Sequence, residues 1–207
     1  TPDGPQLAGD LALHSQNARD LVKWAFPAQT SATETLWTGS RGQLKLQTRI
    51  DFSPAALRLA KADYELDGAA GTLELVADGT GKNIRLAAKM LDIDNFIPRG
   101  VLALAPDGDG GWGLLPALLP SLSDLPQLKL VVQAEKLRLN GIVAEDVVID
   151  AGFGSKGLDL KLAEIGKVGE AHLEASGMVE AAANGPSGTL SAKISADNPR
   201  GLLKLLG

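Results

Sequence analysis

The chain has 207 residues, a net charge of −5 and no cysteine, and 44% of its residues are hydrophobic. This length and composition suit a folded protein with a substantial core, and they argue against a disulfide-stapled miniprotein, a disordered chain or a Cys/His zinc protein. The acidic balance also argues against a nucleic-acid partner, which would require a clustered positive surface.

The chain begins with an alternating segment that predicts a strand ending near Ser15, followed by a short helix over residues 17–26. Asn17 is expected to cap this helix, and Pro27 is expected to end it. Trp24 lies on the predicted helix, and we consider it a candidate for contact with another protein.

Strict alternation of apolar and polar residues then dominates the sequence. Leu44, Leu46 and Ile50 alternate with charged and amide residues such as Lys45 and Gln47, which predicts a strand with one apolar and one polar face. The same pattern recurs along the chain, so that about ten strands are expected. Short turn-forming stretches such as DGAAG (67–71) and DGTGK (78–82) separate them, which favours antiparallel neighbours.

The alternation slips by one residue in at least two places. Leu57 and Leu59 are followed by Ala62, and Met90 is followed directly by Leu91. A slip of this kind predicts a β-bulge or a break, which would twist and curl the sheet.

A segment rich in Gly, Pro and Leu at 108–127 separates a first β-rich region (1–107) from a second (128–207). The second region is expected to end in a short helix over 198–206, although the two regions could also form one continuous domain. Trp112 lies in the connecting segment and is a second candidate for an interaction surface. This segment could pack against the rim of the sheet or act as an apolar flap.

The sequence therefore predicts a mainly β protein with two short helices, built on an antiparallel, meandering and curled sheet that forms a groove or half-barrel. A closed β-sandwich is the alternative, because the same alternating residues would also fill a sandwich core. The residues expected to line a groove are aliphatic and alternate along the first strands: Leu44, Leu46, Ile50, Leu57, Leu73, Leu75, Ile84 and Leu86.

Catalytic and metal-binding motifs fail their mechanical requirements. A calcium loop starting at Asp107 would need an acidic residue at its twelfth position, where Leu118 stands. His14 and His172 lie in alternating strands, and although they could meet across the sheet, solvated imidazoles are the more common outcome. We therefore expect no enzymatic activity, no metal and no cofactor.

Three stretches resemble the AsmA family of bacterial envelope proteins. These are GDLALHSQNARDLVKWAF (9–26), the strand series over 42–98 that closes with an L-D-[LI]-D-x-[YF] element at 91–96, and the strands over 134–164 that contain L-R-L-N-G. The likeness covers most of the chain and is weakest at 99–127. The motifs are repetitive and carry no invariant catalytic signature.

The resemblance implies a periplasmic segment of a Gram-negative protein anchored in the inner membrane by a helix outside this sequence. It further implies a role in outer-membrane biogenesis and in binding or conducting phospholipid or another acyl lipid along an aliphatic groove, related in kind to chorein-type bridge proteins. Other envelope proteins are possible partners. The alternative function is a non-catalytic structural or protein-interaction module of the cell envelope.

Overall fold

A computed structural model of the protein describes residues 4–18, 20, 42–95, 127–139, 141–155, 157–182 and 185–196. Ten strands form one sheet in chain order. They are β1 (Leu7–Ser15), β2 (Leu44–Ser53), β3 (Ala56–Leu66), β4 (Ala69–Asp78), β5 (Gly81–Asp92), β6 (Leu128–Leu139), β7 (Ile142–Gly154), β8 (Gly157–Val168), β9 (Ala171–Ala182) and β10 (Gly185–Ala196). The predicted mainly β class is confirmed, and β1 and β10 are the two edges of an open sheet.

Every pair of neighbouring strands is antiparallel except β5 and β6, which run parallel. The expected meander is therefore correct within each half of the sheet and wrong at its centre. A parallel pair needs a long crossover connection, and the chain between β5 and β6 is long enough to supply one. The Lys82 amide donates to the Gln127 carbonyl over 2.7 Å where this pairing begins.

The hairpin turns follow from local backbone chemistry. Asp67 and Gly68 both have positive φ, 50° and 83°, as a two-residue type I′ hairpin turn between β3 and β4 requires. At the next hairpin the Asp78 carboxylate accepts hydrogen bonds from the Thr80 hydroxyl (2.6 Å) and amide (2.8 Å), and these bonds hold the pKa of Asp78 below its ordinary value.

Neither predicted helix is confirmed. Ala18 and Asp20 are helical, and the Asp20 amide lies 3.4 Å from the Asn17 Oδ1 atom that was expected to cap the helix. The rest of the 17–26 helix, the connection at 108–127 and the 198–206 helix lie outside the described residues. The described residues also include a 3₁₀ turn at Ile93–Asn95, directly after β5.

Both predicted phase slips mark irregularities in the sheet. In β3 the pairing with β4 shifts between Leu59 and Ala62, and Lys61 has a positive φ of 49°. In β5 the register with β6 does not shift at the predicted slip: Ala88 pairs with Ala134 and Leu91 with Leu137 at the same offset, and only the pair at Lys89 is missing. Leu91 then packs against the same buried cluster as the residues before the slip, so the irregularity returns the apolar side chains to one face.

Cross-strand ion pairs occupy the opposite, polar face. Lys45 Nζ lies 3.0 Å from Glu65 Oε1 between β2 and β3, and Arg85 Nη1 lies 3.3 Å from Glu74 Oε2 between β4 and β5. Exposed pairs of this kind contribute little stability, on the order of 0.2–1 kcal/mol each. They nevertheless favour one register, because a slip by one residue would carry the charges to the apolar face.

An acidic clamp joins the end of β5 to the β6–β7 hairpin. Arg138 Nη1 donates to Asp92 Oδ2 over 3.0 Å, and the Gly141 amide donates to Asp94 Oδ2 over 2.7 Å. Both carboxylates belong to the L-D-I-D sequence at 91–94. This clamp fixes the far end of the parallel β5–β6 pair, where no short turn could do so.

The clamp generates a prediction for Asp94→Ala. Loss of a hydrogen bond from the Gly141 amide should lower the free energy of unfolding by about 1 kcal/mol and speed hydrogen exchange at that amide. Chemical denaturation and amide exchange measure the two effects. Glu145→Gln is the control, since it removes only a loose exposed pair with Lys136 at 4.0 Å; equal effects of the two variants would contradict the clamp.

Candidate functional site

The apolar side chains of all ten strands share one face of the sheet. Residues that pair directly across antiparallel or parallel strands project to the same side, so rows of paired residues trace this face from β1 to β10. One row is Leu13, Leu46, Tyr64, Gly71, Ala88, Ala134, Val147, Ile165, Leu173 and Ile194. A second is Gly9, Ile50, Leu59, Leu75, Ile84, Leu130, Ala151, Leu160, Gly177 and Leu190. We call this surface the aliphatic face.

The aliphatic face is large and nearly free of charge. Ten strands at about 4.8 Å spacing give a width of about 43 Å from β1 to β10. Among the paired residues of the described strands, the charged residue on this face is Lys82, at the start of β5, which pairs with Ala77 and Leu128. A ligand on this face would therefore meet mainly hydrocarbon along the whole width of the sheet.

All eight residues expected to line a groove lie on the aliphatic face, in β2 to β5. Leu46 is only 8% exposed, because it packs between neighbouring strands, whereas Leu75 and Leu86 are half-buried. The Leu46 side chain is therefore largely inaccessible to a ligand, whereas a ligand can contact Leu75 and Leu86.

The set of eight omits the second half of the face. Residues of β6 to β10 continue the same rows, among them Ile149, Leu160 and Leu173. The apolar and polar residues of β6 to β10 alternate as regularly as those of β2 to β5, so the sequence pattern was sufficient to predict these residues as well. The parallel pairing of β5 with β6 makes the two halves one surface.

The most deeply buried residues of this face have small side chains. The buried apolar residues of the sheet are mostly alanines, and the larger side chains beside them are half-buried. At the free edges exposure rises further, to 48% for Ile194 in β10 and 61% for Leu7 in β1. A closed sandwich would bury its large aliphatic residues between two sheets; the described strands instead form one sheet.

Tyr64, in β3, is a polar side chain on the aliphatic face. It pairs with Gly71 of β4, and its ring lies over that glycine: a methyl group at Gly71 would be 2.6 Å from Tyr64 Cζ. The missing side chain of Gly71 therefore makes room for the ring. The same burial raises the pKa of Tyr64 above its ordinary value.

The polar face carries charges of both signs around an open depression of about 650 Å³. Small residues such as Ala70 and Ala87 form its floor, and Lys89, Glu135 and Glu164 surround it. The described residues contain no cluster of three or more His, Asp or Glu side chains that could hold a metal ion.

The two histidines do not meet. His14 lies in β1 and His172 in β9, with seven strands between them. The possibility of a histidine pair across the sheet was therefore wrong, because chain order fixes the strand order. Both of the tryptophans expected to contact partners, Trp24 and Trp112, lie outside the described residues.

We predict that Gly71→Ala destabilises the protein, because the added methyl group would displace the Tyr64 ring or strain the backbone near the Ala87 carbonyl. The expected loss is about 1–3 kcal/mol in the free energy of unfolding. Gly9→Ala is the matched control, since no heavy atom lies within 4 Å of a methyl group at that strand position. A Gly71 variant as stable as the Gly9 variant would refute the stacked arrangement.

The ionisation of Tyr64 is directly measurable, because it is the only tyrosine in the chain. Since the folded-state pKa is raised, burial favours the neutral phenol; the associated stability is present below the unfolded pKa of about 10 and is lost as pH rises through the folded value. A titration of phenolate absorbance should have its midpoint above that of the unfolded chain in denaturant. Coincident midpoints, with the fold intact by circular dichroism, would show that the phenol is not buried.

In the part of the chain that the structure describes, no helix has the length and hydrophobicity of a membrane span. A comparison with protein-family models gave no match, and searches of curated proteins and of solved structures found no similar protein.

Proposed function

We propose that the chain binds or conducts phospholipid, or another acyl lipid, along the aliphatic face. The observation that carries this proposal is the continuity of that face over all ten strands, with a single charged residue at one end of one strand. An acyl chain forms no directional bonds, so a surface of Leu, Ile, Val and Ala satisfies it without polar anchors.

The dimensions of the face support lipid as the ligand. Its width of about 43 Å exceeds the length of one acyl chain, since two leaflets together form a hydrocarbon core of about 30 Å. Each methylene group removed from water contributes about 0.8 kcal/mol, so a chain of ordinary length would bind without a specific pocket. A succession of similar side chains also provides no deep minimum that would stop a lipid from sliding.

The resemblance to AsmA proteins supplies the biological setting of the proposal. In that setting the chain is a periplasmic, non-enzymatic part of an inner-membrane-anchored protein that acts in outer-membrane biogenesis. Phospholipid is its ligand, and other envelope proteins are its partners.

A structural or protein-interaction module is the second candidate, and the free edges of the sheet favour it. Strands β1 and β10 each have one side without a neighbour among the described strands, and such edges accept an added strand from another protein. In that case mutations on the aliphatic face would leave partner binding intact, whereas mutations along an edge strand would abolish it.

Photo-crosslinking tests the lipid proposal. A photo-reactive amino acid at Leu75, half-buried on the aliphatic face, should crosslink to phospholipid when the protein is produced in a Gram-negative host, and mass spectrometry should identify the adduct. The same probe at Glu74 is the control, because this neighbour projects from the polar face, where it pairs with Arg85.

Lipid adducts at Leu75 and none at Glu74 are expected. Equal labelling at both positions would indicate nonspecific contact with membranes, and an absence of adducts at both positions, together with native mass spectra free of lipid, would refute the proposal.

A further inference from the structure

The hydroxyl groups on the aliphatic face differ in whether they form hydrogen bonds within the protein. The Ser15 hydroxyl accepts a hydrogen bond from the Asn17 amide over 3.1 Å. The Thr48 hydroxyl lies 3.1 Å from the Arg49 carbonyl and 3.4 Å from that of Ala60, so it too is bonded to the backbone. The Tyr64 hydroxyl has no hydrogen-bond partner among the described residues. Its oxygen is not among the fully buried polar atoms, so a ligand on the aliphatic face can reach it.

The fold holds this hydroxyl in a defined place. A methyl group at Gly71 would lie 2.5 Å from the Tyr64 oxygen, so the end of the phenol ring rests over β4. The next residue of the row is Ala88 in β5, which is buried, and the preceding residue is Leu46 in β2. A donor is thus positioned among side chains that contain only hydrocarbon.

These apolar surroundings limit which ligand group can accept a hydrogen bond from the Tyr64 hydroxyl. A phosphate group would require a cation, and the row Leu13, Leu46, Tyr64, Gly71 and Ala88 contains no basic side chain. Lys45 and Lys89 stand on the polar face, and Lys61, three residues before Tyr64, is an exposed residue at the bulge of β3. A neutral carbonyl oxygen attached to hydrocarbon needs no countercharge. A hydrogen bond to such an acceptor is also strengthened when the ligand excludes water from both groups.

We propose that Tyr64 donates a hydrogen bond to the ester carbonyl of an acyl lipid bound on the aliphatic face, and that it thereby favours ester-linked over ether-linked chains. This inference rests on the proposed function and adds a specificity-determining residue to it. The rest of the face contributes affinity that depends on hydrocarbon length alone.

The test compares two lipids on the full chain: dioleoyl phosphatidylcholine and the dialkyl ether lipid with the same headgroup and chain length. Native mass spectrometry of an equimolar competition gives the ratio of bound ester to bound ether lipid. One net hydrogen bond corresponds to about a fivefold preference for the ester. Tyr64→Phe, which keeps the ring over Gly71, should lower the ratio to about one.

Thr48→Val is the matched control. It also removes a hydroxyl from the aliphatic face, but this hydroxyl already donates to backbone carbonyl groups and is not available to a ligand. It should keep the preference of the unmodified protein. If the unmodified protein binds both lipids equally, or if Tyr64→Phe retains the preference, the role of Tyr64 is refuted while lipid binding stands. If neither lipid binds to any of the three proteins, the proposed function fails as well.

Discussion

The structure depends on one constraint, the two-residue period of its strands combined with a cross-strand register that never exchanges the two faces. An apolar residue at every second position places hydrocarbon on one side of a single strand. Only pairing in register makes that side a surface, as when Leu75 of β4 lies between Leu59 of β3 and Ile84 of β5. The ion pairs on the opposite side, such as Arg85 with Glu74, discriminate against a slip by one residue.

Bulges preserve this constraint where the sheet bends. In β3 the insertion at Lys61 offsets the slip between Leu59 and Ala62, so that both leucine-rich halves of the strand face the same side. The slip in β5 is matched in β6 and β7, because Leu91, Leu137 and Ala144 pair in one row beyond it. An isolated slip would have turned the end of one strand toward the polar face; a shared slip bends several strands together and leaves the aliphatic face unbroken.

The sequence predicted the strands, the two faces and the slips in β3 and β5, because each of these is local and is written in the alternation itself. It did not predict the register shifts along β8. It did not predict the parallel pairing of β5 with β6, since that depends on the end of the sheet to which a long connection returns. The contact of Tyr64 with Gly71 was equally inaccessible: the partner of Gly71 depends on the bulge at Lys61, and a shift of one residue would have placed Asp63 or Glu65 there. Long-range register, not composition, decides which polar group stands on the face.

A sheet with one apolar face normally packs it against a second layer. Here the described strands form a single layer, and the larger aliphatic residues, such as Leu75 and Leu86, keep part of their surface open. Stability then comes from hairpins, edge-to-edge hydrogen bonding and lateral contacts between neighbouring side chains, with small residues such as Ala88 and Ala134 filling the spaces between larger ones. The hydrophobic free energy left unused in the free protein becomes available when a ligand covers the face. Because any ligand that binds only the folded state also stabilises it, the lipid binding that we propose would make the sheet more stable when the aliphatic face is covered.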